Sequence, residues 1–193
     1  MSQQDEAYTI ETHKHRYAMW CAARAYGRGL EGGGNDFAFA LITAVGLELV
    51  KGPDHIGLDV DEWLIGLMNK MVAEAKARGH TMFVFGHAQK VVNIYMKGVL
   101  ICGGHHLHPA VMRLHPPLDS KLFDGLRTHL YRERATLKAE RRAFLNAQKG
   151  NRSWTSFAES DYRAHIEVIK ALQVGAPLYE VERHWNLHRK SRA

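Results

Sequence analysis

The stretch GHAQKVVNIYMKGVLICGGHHLHPAVMRLHPPLD, residues 86–119, is the part of the sequence around which the rest is organised. Lys90 opens an apolar helical run, and Asp119 follows the rigid Pro116-Pro117 pair about thirty residues later. A lysine becomes a nucleophile when burial lowers its pKa. We therefore expect the helix and the proline turn to bring the Lys90 amine and the Asp119 carboxylate together as a reactive pair.

The rest of the chain predicts an all-α fold in two lobes. Residues 1–11 read as a flexible tail and residues 12–193 as one helical domain. Apolar residues recur at helical spacing, and no alternation typical of a strand extends beyond 81–85. The predicted helices cover residues 12–28, 37–50, about 61–78, 87–102, a short segment after Asp119, 126–148, 156–173 and 177–188. The predicted N-cap of the second helix is Asp36, and that of the third is Asp59 or Asp61.

The residues before Lys90 predict two helices joined by a tight hairpin. The third helix carries a clear apolar stripe and ends near Gly79, and residues 80–86 form the turn into the next helix. The hairpin and the two candidate residues thus fall within about 61–124. Lys97 shares a helix face with Lys90, and residues 103–109 read as a loop.

Positive charge is concentrated in the C-terminal half of the chain. Residues 113–152 contain ten Lys or Arg and four Asp or Glu, and this excess equals the net charge of +6 of the whole chain. One interpretation is a solvated helix face. The other is an electrostatic surface for a polyanion such as nucleic acid.

Several functional classes find no support in the sequence. No apolar run approaches the 18 residues of a membrane span. Cys21 and Cys102 lie in apolar helical patterns, which predicts reduced core thiols in a cytoplasmic protein. The run from His105 to His108, with His115 nearby, lacks the partner ligands of a zinc site, so we predict no metal or cofactor and a loop near DNA. Trp20, Trp63 and Trp154 read as core residues.

One reaction asks for a lysine and an aspartate that face a pocket. Cleavage of the bond between a sugar C1′ and a base passes through an oxocarbenium-like state that a carboxylate stabilises. Attack of an amine on C1′ gives a Schiff base, through which the strand is then cut. The pocket must also hold an extruded base, usually against an aromatic ring.

The segment 86–123 resembles the helix-hairpin-helix DNA glycosylase superfamily, and within it the archaeal 8-oxoguanine glycosylase type. Residues 90–97 match the form Lys-x-Val-x-x-x-x-Lys, and Pro117-Leu118-Asp119 matches Pro-x-Asp. At the C-terminus, Pro177-Leu178 leads to Trp185 at a similar spacing. The order and separation of these short pieces agree with the family.

The resemblance implies a role for each matching residue. Lys90 attacks C1′ with help from Asp119, Trp185 stacks on the base, and the partner is a DNA duplex with a flipped modified base. Gln89 and His87 are candidates for contacts to the base or a phosphate. With the basic stretch, the predicted DNA contacts are Gly86, Lys97, Arg127, Arg134 and Arg141.

Two departures from the family pattern concern the hairpin's grip on a phosphate and the recognition of the base. The usual hairpin reads Gly-x-Gly-x-Lys, whereas Gly86 is the only glycine between 86 and 90. Val181, between Glu180 and Glu182, takes the place of an acidic residue one turn before the tryptophan. The expected activity is therefore excision of an oxidised or otherwise modified base, with or without strand cleavage, in repair or in antiviral defence against phage with modified DNA.

Two alternatives remain open at the level of sequence. Arg183 and His188 fit the Arg-x4-His pattern of HEPN ribonuclease toxins, although so short a motif occurs readily by chance. The chain is alternatively a catalytically silent DNA-binding helical protein.

Overall fold

The computed structural model of the chain describes residues 8–26, 30 and 34–185. Every regular element in these residues is helical, which confirms the all-α prediction, and none of the helices is both long and apolar enough to cross a membrane. The α-helices are α1 (Ile10–Tyr26), α2 (Asn35–Ala44), α3 (Val60–Ala77), α4 (Phe85–Met96), α5 (Pro109–Met112), α6 (Ser120–Arg132), α7 (Lys138–Gly150) and α8 (Glu159–Leu172). Short 3₁₀ helices cover Leu47–Leu49, Pro53–His55, Trp154–Ser156 and Leu178–His184.

Helix α4 lies at the centre of the fold. All of its residues except Ile94 are buried, and α1 and α3 both pack along it. A helix that is covered on every side is normally apolar all round. This one buries His87, Gln89, Lys90 and Asn93, so each of these polar groups needs a partner inside the protein.

Several predicted boundaries differ from the observed ones. Helix α1 begins at Ile10, inside the predicted tail, and Gly34 rather than Asp36 occupies the N-cap of α2. Asp59, one of the two predicted N-caps, caps α3 and accepts hydrogen bonds from two backbone N–H groups. The predicted loop at 103–109 begins instead as a π-helical continuation of α4 over Lys97–His105.

The single long basic helix predicted over residues 126–148 is wrong. Helix α6 ends at Arg132 and α7 begins at Lys138, with a turn in which Thr136 and Leu137 donate to the carbonyl of Glu133. A straight helix would carry residue 144 about 27 Å from residue 126 along its axis. The turn reverses the chain, so that both segments bury their apolar faces in one core.

Two glycines allow close contacts that position the candidate site. A Cβ on Gly86 would lie 1.7 Å from the carbonyl oxygen of Trp154, and a Cβ on Gly125 would lie 1.6 Å from that of His184. Glycine thus lets the segment that carries Trp154 approach α4, and the segment that leads to Trp185 approach α6. Gly86, a predicted DNA contact, is buried, and its N–H donates to the carbonyl of Phe157 at 3.1 Å, so this N–H is not available to a phosphate in the structure.

We expect Gly125→Ala to lower the free energy of unfolding by about 1–3 kcal/mol, since the new methyl group must displace the segment at His184. Gly66→Ala in α3 is the matched control, because a Cβ there meets no atom within 4 Å. That substitution should be neutral or should stabilise the protein by up to about 1 kcal/mol through helix propensity. Urea unfolding of both variants measures the difference, and equal stability of the two would contradict the close contact.

Candidate active site

The structure brings Lys90 and Asp119 into direct contact. The Lys90 Nζ atom donates to Asp119 Oδ2 at 2.8 Å. Their side chains are only 7% and 14% exposed, so both charges are largely withdrawn from water. Lys90 lies in the second turn of α4, and Asp119 precedes the first residue of α6.

Asp119 is held by two further groups besides Lys90. Its Oδ1 atom accepts a hydrogen bond from the backbone N–H of Leu122 at 2.8 Å, which makes it the N-cap of α6. The indole Nε1 of Trp185 lies 3.1 Å from each carboxylate oxygen. A carboxylate fixed by a cap, an ammonium and an indole has little freedom to rotate, so its orientation toward the cavity is set before any ligand arrives.

The pKa values of the pair follow from burial and from their mutual attraction. Burial lowers the pKa of Lys90, and the neighbouring Asp119 charge only partly restores it. Burial alone acts to raise the pKa of Asp119, but the charge and hydrogen bond of Lys90 outweigh this and the pKa is lowered. Lys90 thus gives up its proton more readily than an exposed lysine does, while Asp119 stays ionised.

Both residues line a cavity of about 720 Å³, which we call the Lys90 cavity. Three tryptophans also line it: Trp20 from α1, Trp154 from its 3₁₀ helix, and Trp185. The Lys90 Nζ atom lies 5.6 Å from the centre of a Trp154 ring. Aromatic faces beside a buried amine suit a flat, partly apolar ligand.

Several residues that the sequence predicts in the core line the Lys90 cavity. Trp20 is 51% exposed and lines the Lys90 cavity rather than the core, whereas Trp154 is half-buried, packs against the core and also lines the cavity. Trp63, by contrast, packs against the core as predicted. Cys21 and Cys102 also line the cavity, and Cys102 is exposed, so neither is a core thiol. The helical spacing of Tyr17, Trp20 and Arg24 was the available signal that these side chains share one face.

An acidic residue near Trp185 is present after all. Glu182 lines the Lys90 cavity and pairs with Lys97, whereas Val181 is fully buried. Lys97, predicted to contact DNA, therefore lies in the cavity wall as part of an ion pair. The cavity wall therefore contains two lysine–carboxylate pairs, Lys90–Asp119 and Lys97–Glu182. About two helical turns separate the two lysines.

Gln89 and His87 do not line the cavity. The Gln89 side chain is fully buried, donates to the Leu118 carbonyl at 2.9 Å and accepts from the Leu118 N–H at 3.1 Å. His87 is buried, and its Nδ1 atom accepts from the N–H of Val84 at 3.2 Å. The predicted contacts to a base or phosphate are replaced by structural roles: Gln89 clamps the residue before Asp119, and His87 closes the first turn of α4.

A buried chain of hydrogen bonds supports the proline turn. Asn93 donates to Tyr162 Oη at 2.9 Å, and this hydroxyl lies 2.9 Å from His115 Nδ1. The other ring nitrogen of His115 lies 3.0 Å from Asp61, which also pairs with Lys170. Burial lowers the pKa of His115, so the neutral ring accepts from the tyrosine and donates to Asp61. His115 thus belongs to the core rather than to a loop near DNA.

The other histidines of that stretch form no cluster. His108 caps α5, with its Nδ1 atom accepting from the N–H of Ala110 at 3.3 Å. His105 and His106 are at the end of the π-helical segment. Over residues 8–26, 30 and 34–185, no three His, Cys, Asp or Glu side chains converge as ligands for a metal ion.

The three arginines predicted to contact DNA differ in whether other side chains of the protein hold them. Arg127 donates to Asp124 at 2.9 Å and to Gln148 at 3.1 Å, which ties it to its own surface. The exposed guanidinium of Arg134 lies 5.2 Å from the ring centre of Tyr131, and Arg141 is half-exposed. Arg134 and Arg141 are thus the better placed of the three to meet a phosphate.

We expect Asp119→Asn to lower the free energy of unfolding by about 3–5 kcal/mol at pH 7, because it leaves the Lys90 ammonium buried without a counter-charge. Lys90→Met should cost less, since Asp119 keeps the N–H groups of Leu122 and Trp185. Urea unfolding of both variants gives the comparison. A greater loss for Lys90→Met would contradict this electrostatic account.

The loss in free energy of unfolding caused by Asp119→Asn should become smaller as the pH rises. Loss of the carboxylate lowers the folded-state pKa of Lys90 further below its unfolded value. At pH values between the folded-state and the unfolded-state pKa of Lys90, the unfolded chain binds more protons than the folded one. The free energy of unfolding of the variant therefore rises with pH in this range. Unfolding curves at pH 7 and pH 9.5 for the wild type and the variant test this sign.

No protein-family model matches the chain, and no curated protein or solved structure was found that is similar to it. The geometry around Lys90 and Asp119 is accordingly the basis for the function proposed below.

Proposed function

We propose that this protein is a DNA glycosylase that excises a modified base through Lys90 and Asp119, with strand cleavage as a second step. The observation that carries the proposal is the buried pair, 2.8 Å from amine to carboxylate, in the wall of a cavity lined by tryptophans. The resemblance of residues 86–123 to helix-hairpin-helix glycosylases supports the same assignment.

The chemistry follows from the two side chains. The neutral Lys90 amine attacks C1′ of the flipped nucleotide, the bond from C1′ to the base nitrogen breaks, and the base leaves with the electron pair and a proton. Asp119, ionised and fixed, stabilises the positive charge that develops on the sugar. Opening of the sugar ring gives a Schiff base, and loss of a C2′ proton then expels the 3′ phosphate.

The surroundings of the pair suit this sequence of steps. Because burial lowers the pKa of Lys90, a larger fraction of its amine is neutral near pH 7 than in an exposed lysine. Trp154 and Trp185 line the cavity beside the pair, and in this proposal the flipped base stacks on them. In this proposal the basic residues of 113–152 hold the duplex, and the protein acts on cytoplasmic DNA in repair or in antiviral defence.

The ribonuclease alternative gains nothing from the structure. Arg183 donates to the carbonyl and the carboxylate of Glu180 in its own turn. His188 lies outside the described residues. No observation sets this pair apart as a site, whereas Lys90 and Asp119 are buried together on a cavity.

Borohydride trapping on duplex DNA with an abasic site tests the nucleophile. We expect the wild type to form a covalent adduct and Lys90→Gln to form none, because reduction captures the Schiff base on Nζ. Lys97→Gln is the matched control, since Lys97 lies on the same helix and cavity and should still be trapped. Denaturing gel electrophoresis measures the adduct.

The other outcomes separate the rivals. Base release without an adduct would replace the amine by a water molecule that Asp119 directs. Binding of DNA without release from any modified duplex would favour the silent DNA-binding protein. An adduct that survives in Lys90→Gln would remove Lys90 from its proposed role.

A second prediction concerns the basic surface. Arg134→Gln and Arg141→Gln should each weaken duplex binding regardless of sequence and reduce the slope of log affinity against log salt by roughly 1. Lys70→Gln on α3 is the control, because this exposed lysine lies outside the basic stretch. Fluorescence anisotropy at several salt concentrations gives the slopes, and equal effects of all three substitutions would exclude this surface as the DNA-binding site.

A further inference from the structure

Helix α1 exposes one continuous face to solvent. Exposed side chains recur every three or four residues along it, and at 100° per residue they fall within about 120° of the helix surface. We call this set the α1 face, and its members are Ile10, His13, Arg16, Tyr17, Trp20 and Arg24. At 1.5 Å per residue the face is about 21 Å long.

The α1 face contains basic side chains and no acidic one. Glu11 is the only acid of α1, but it falls outside the face and pairs with Lys14 at 3.0 Å. Neither Arg16 nor Arg24 forms an ion pair with any residue that the structure describes. The face therefore carries positive charge that no carboxylate balances, and such a surface attracts a polyanion.

The same face presents two aromatic rings to solvent. Tyr17 and Trp20 are 57% and 51% exposed, and their rings stack with centres 6.3 Å apart. The guanidinium of Arg24 lies 5.6 Å from the centre of a Trp20 ring. Exposed rings forfeit the stabilisation that burial would give them, so a pair of them marks a contact surface. Unpaired nucleic-acid bases stack on such rings, and a neighbouring arginine adds a cation–π contact.

The α1 face is continuous with the Lys90 cavity. Helix α1 packs along α4, which carries Lys90, and Tyr17, Trp20 and Arg24 belong to the cavity wall. The other three members, Ile10, His13 and Arg16, do not line the cavity. The face thus extends from the cavity wall onto the outer surface of the protein.

We propose that the α1 face binds unpaired bases of the DNA next to the flipped nucleotide. This inference rests on the function proposed above, in which a base enters the Lys90 cavity. Flipping unstacks a nucleotide from its neighbours. Tyr17 and Trp20 offer their rings to these neighbours, while Arg16 and Arg24 contact phosphates. The bases of a fully paired duplex stay stacked on each other, so the aromatic part of the face selects unpaired DNA.

Fluorescence anisotropy with three labelled DNAs of one sequence tests the inference. They are a single strand, a fully paired duplex, and a duplex with a central bubble of mismatched bases. We expect the wild type to bind the bubble at least about fivefold more tightly than the paired duplex, because only the bubble offers bases to Tyr17 and Trp20.

Substitutions of Trp20 separate stacking from general apolar contact. Trp20→Ala should weaken binding of the single strand and of the bubble by about tenfold, and binding of the paired duplex by less than about twofold. Trp20→Tyr keeps an aromatic ring and should retain most of the preference. Trp20→Leu keeps an apolar side chain without the ring and should behave like Trp20→Ala. Urea unfolding checks that the variants are equally stable.

Tyr131→Ala is the matched control. Tyr131 is 60% exposed, and the guanidinium of Arg134 lies 5.2 Å from its ring centre, but this residue does not line the cavity. The control should leave single-strand affinity unchanged. An equal loss in Tyr131→Ala and Trp20→Ala would overturn the assignment to the α1 face.

The remaining outcomes distinguish this inference from the proposal beneath it. An equal loss of paired and unpaired DNA in Trp20→Ala overturns the stacking role, and no loss for any DNA leaves the face to a protein partner. Tenfold tighter binding of an RNA strand of the same sequence overturns the assignment to DNA. If Lys90-dependent trapping is still observed, these results leave the glycosylase proposal standing. The reverse result, a preference for the bubble that depends on Trp20 but neither trapping nor base release, supports the inference and overturns the glycosylase.

Discussion

The burial of the Lys90 ammonium against the Asp119 carboxylate is the constraint on which the rest of the site depends. Removing two opposite charges from water costs several kcal/mol each, and their attraction repays this cost only with good geometry and further hydrogen bonds. The N–H groups of Leu122 and Trp185 supply those bonds to the carboxylate. A pair so costly to bury adds little to stability, which makes a chemical role the better explanation of its position.

The surrounding structure is arranged to hold this pair. The carboxamide of Gln89 bonds both backbone groups of Leu118, so the residue before Asp119 is tied to the helix that carries Lys90. Gly86 and Gly125 bring the two tryptophan segments to within contact of α4 and α6. The polar residues on the buried side of α4 thus position Asp119, while those on the cavity side are left to meet a ligand.

The sequence predicted the Lys90–Asp119 pair and helix caps, but not all of the segments that line the cavity around the pair. Asp59, one of the two N-caps that the sequence predicts for α3, is confirmed, because capping depends on neighbours along the chain. The sequence predicts Trp20 in the core although it lines the cavity, because hydrophobicity alone does not tell a cavity wall from an interior. The break after Arg132 was missed because its cause is the burial of apolar faces on both sides of the turn.

The charged groups around the Lys90 cavity are of two kinds, lysine–carboxylate pairs and exposed cations over tryptophan rings. Asp119 and Glu182 are each matched by a lysine inside the cavity. Arg24 and Lys121, both exposed, form no ion pair within residues 8–26, 30 and 34–185, and each lies over a tryptophan ring. A flipped nucleotide combines a flat base with an anionic phosphate. Under the proposed function, the exposed cations attract the phosphate of this nucleotide without desolvating it, while the paired charges let a neutral base enter without meeting an isolated charge.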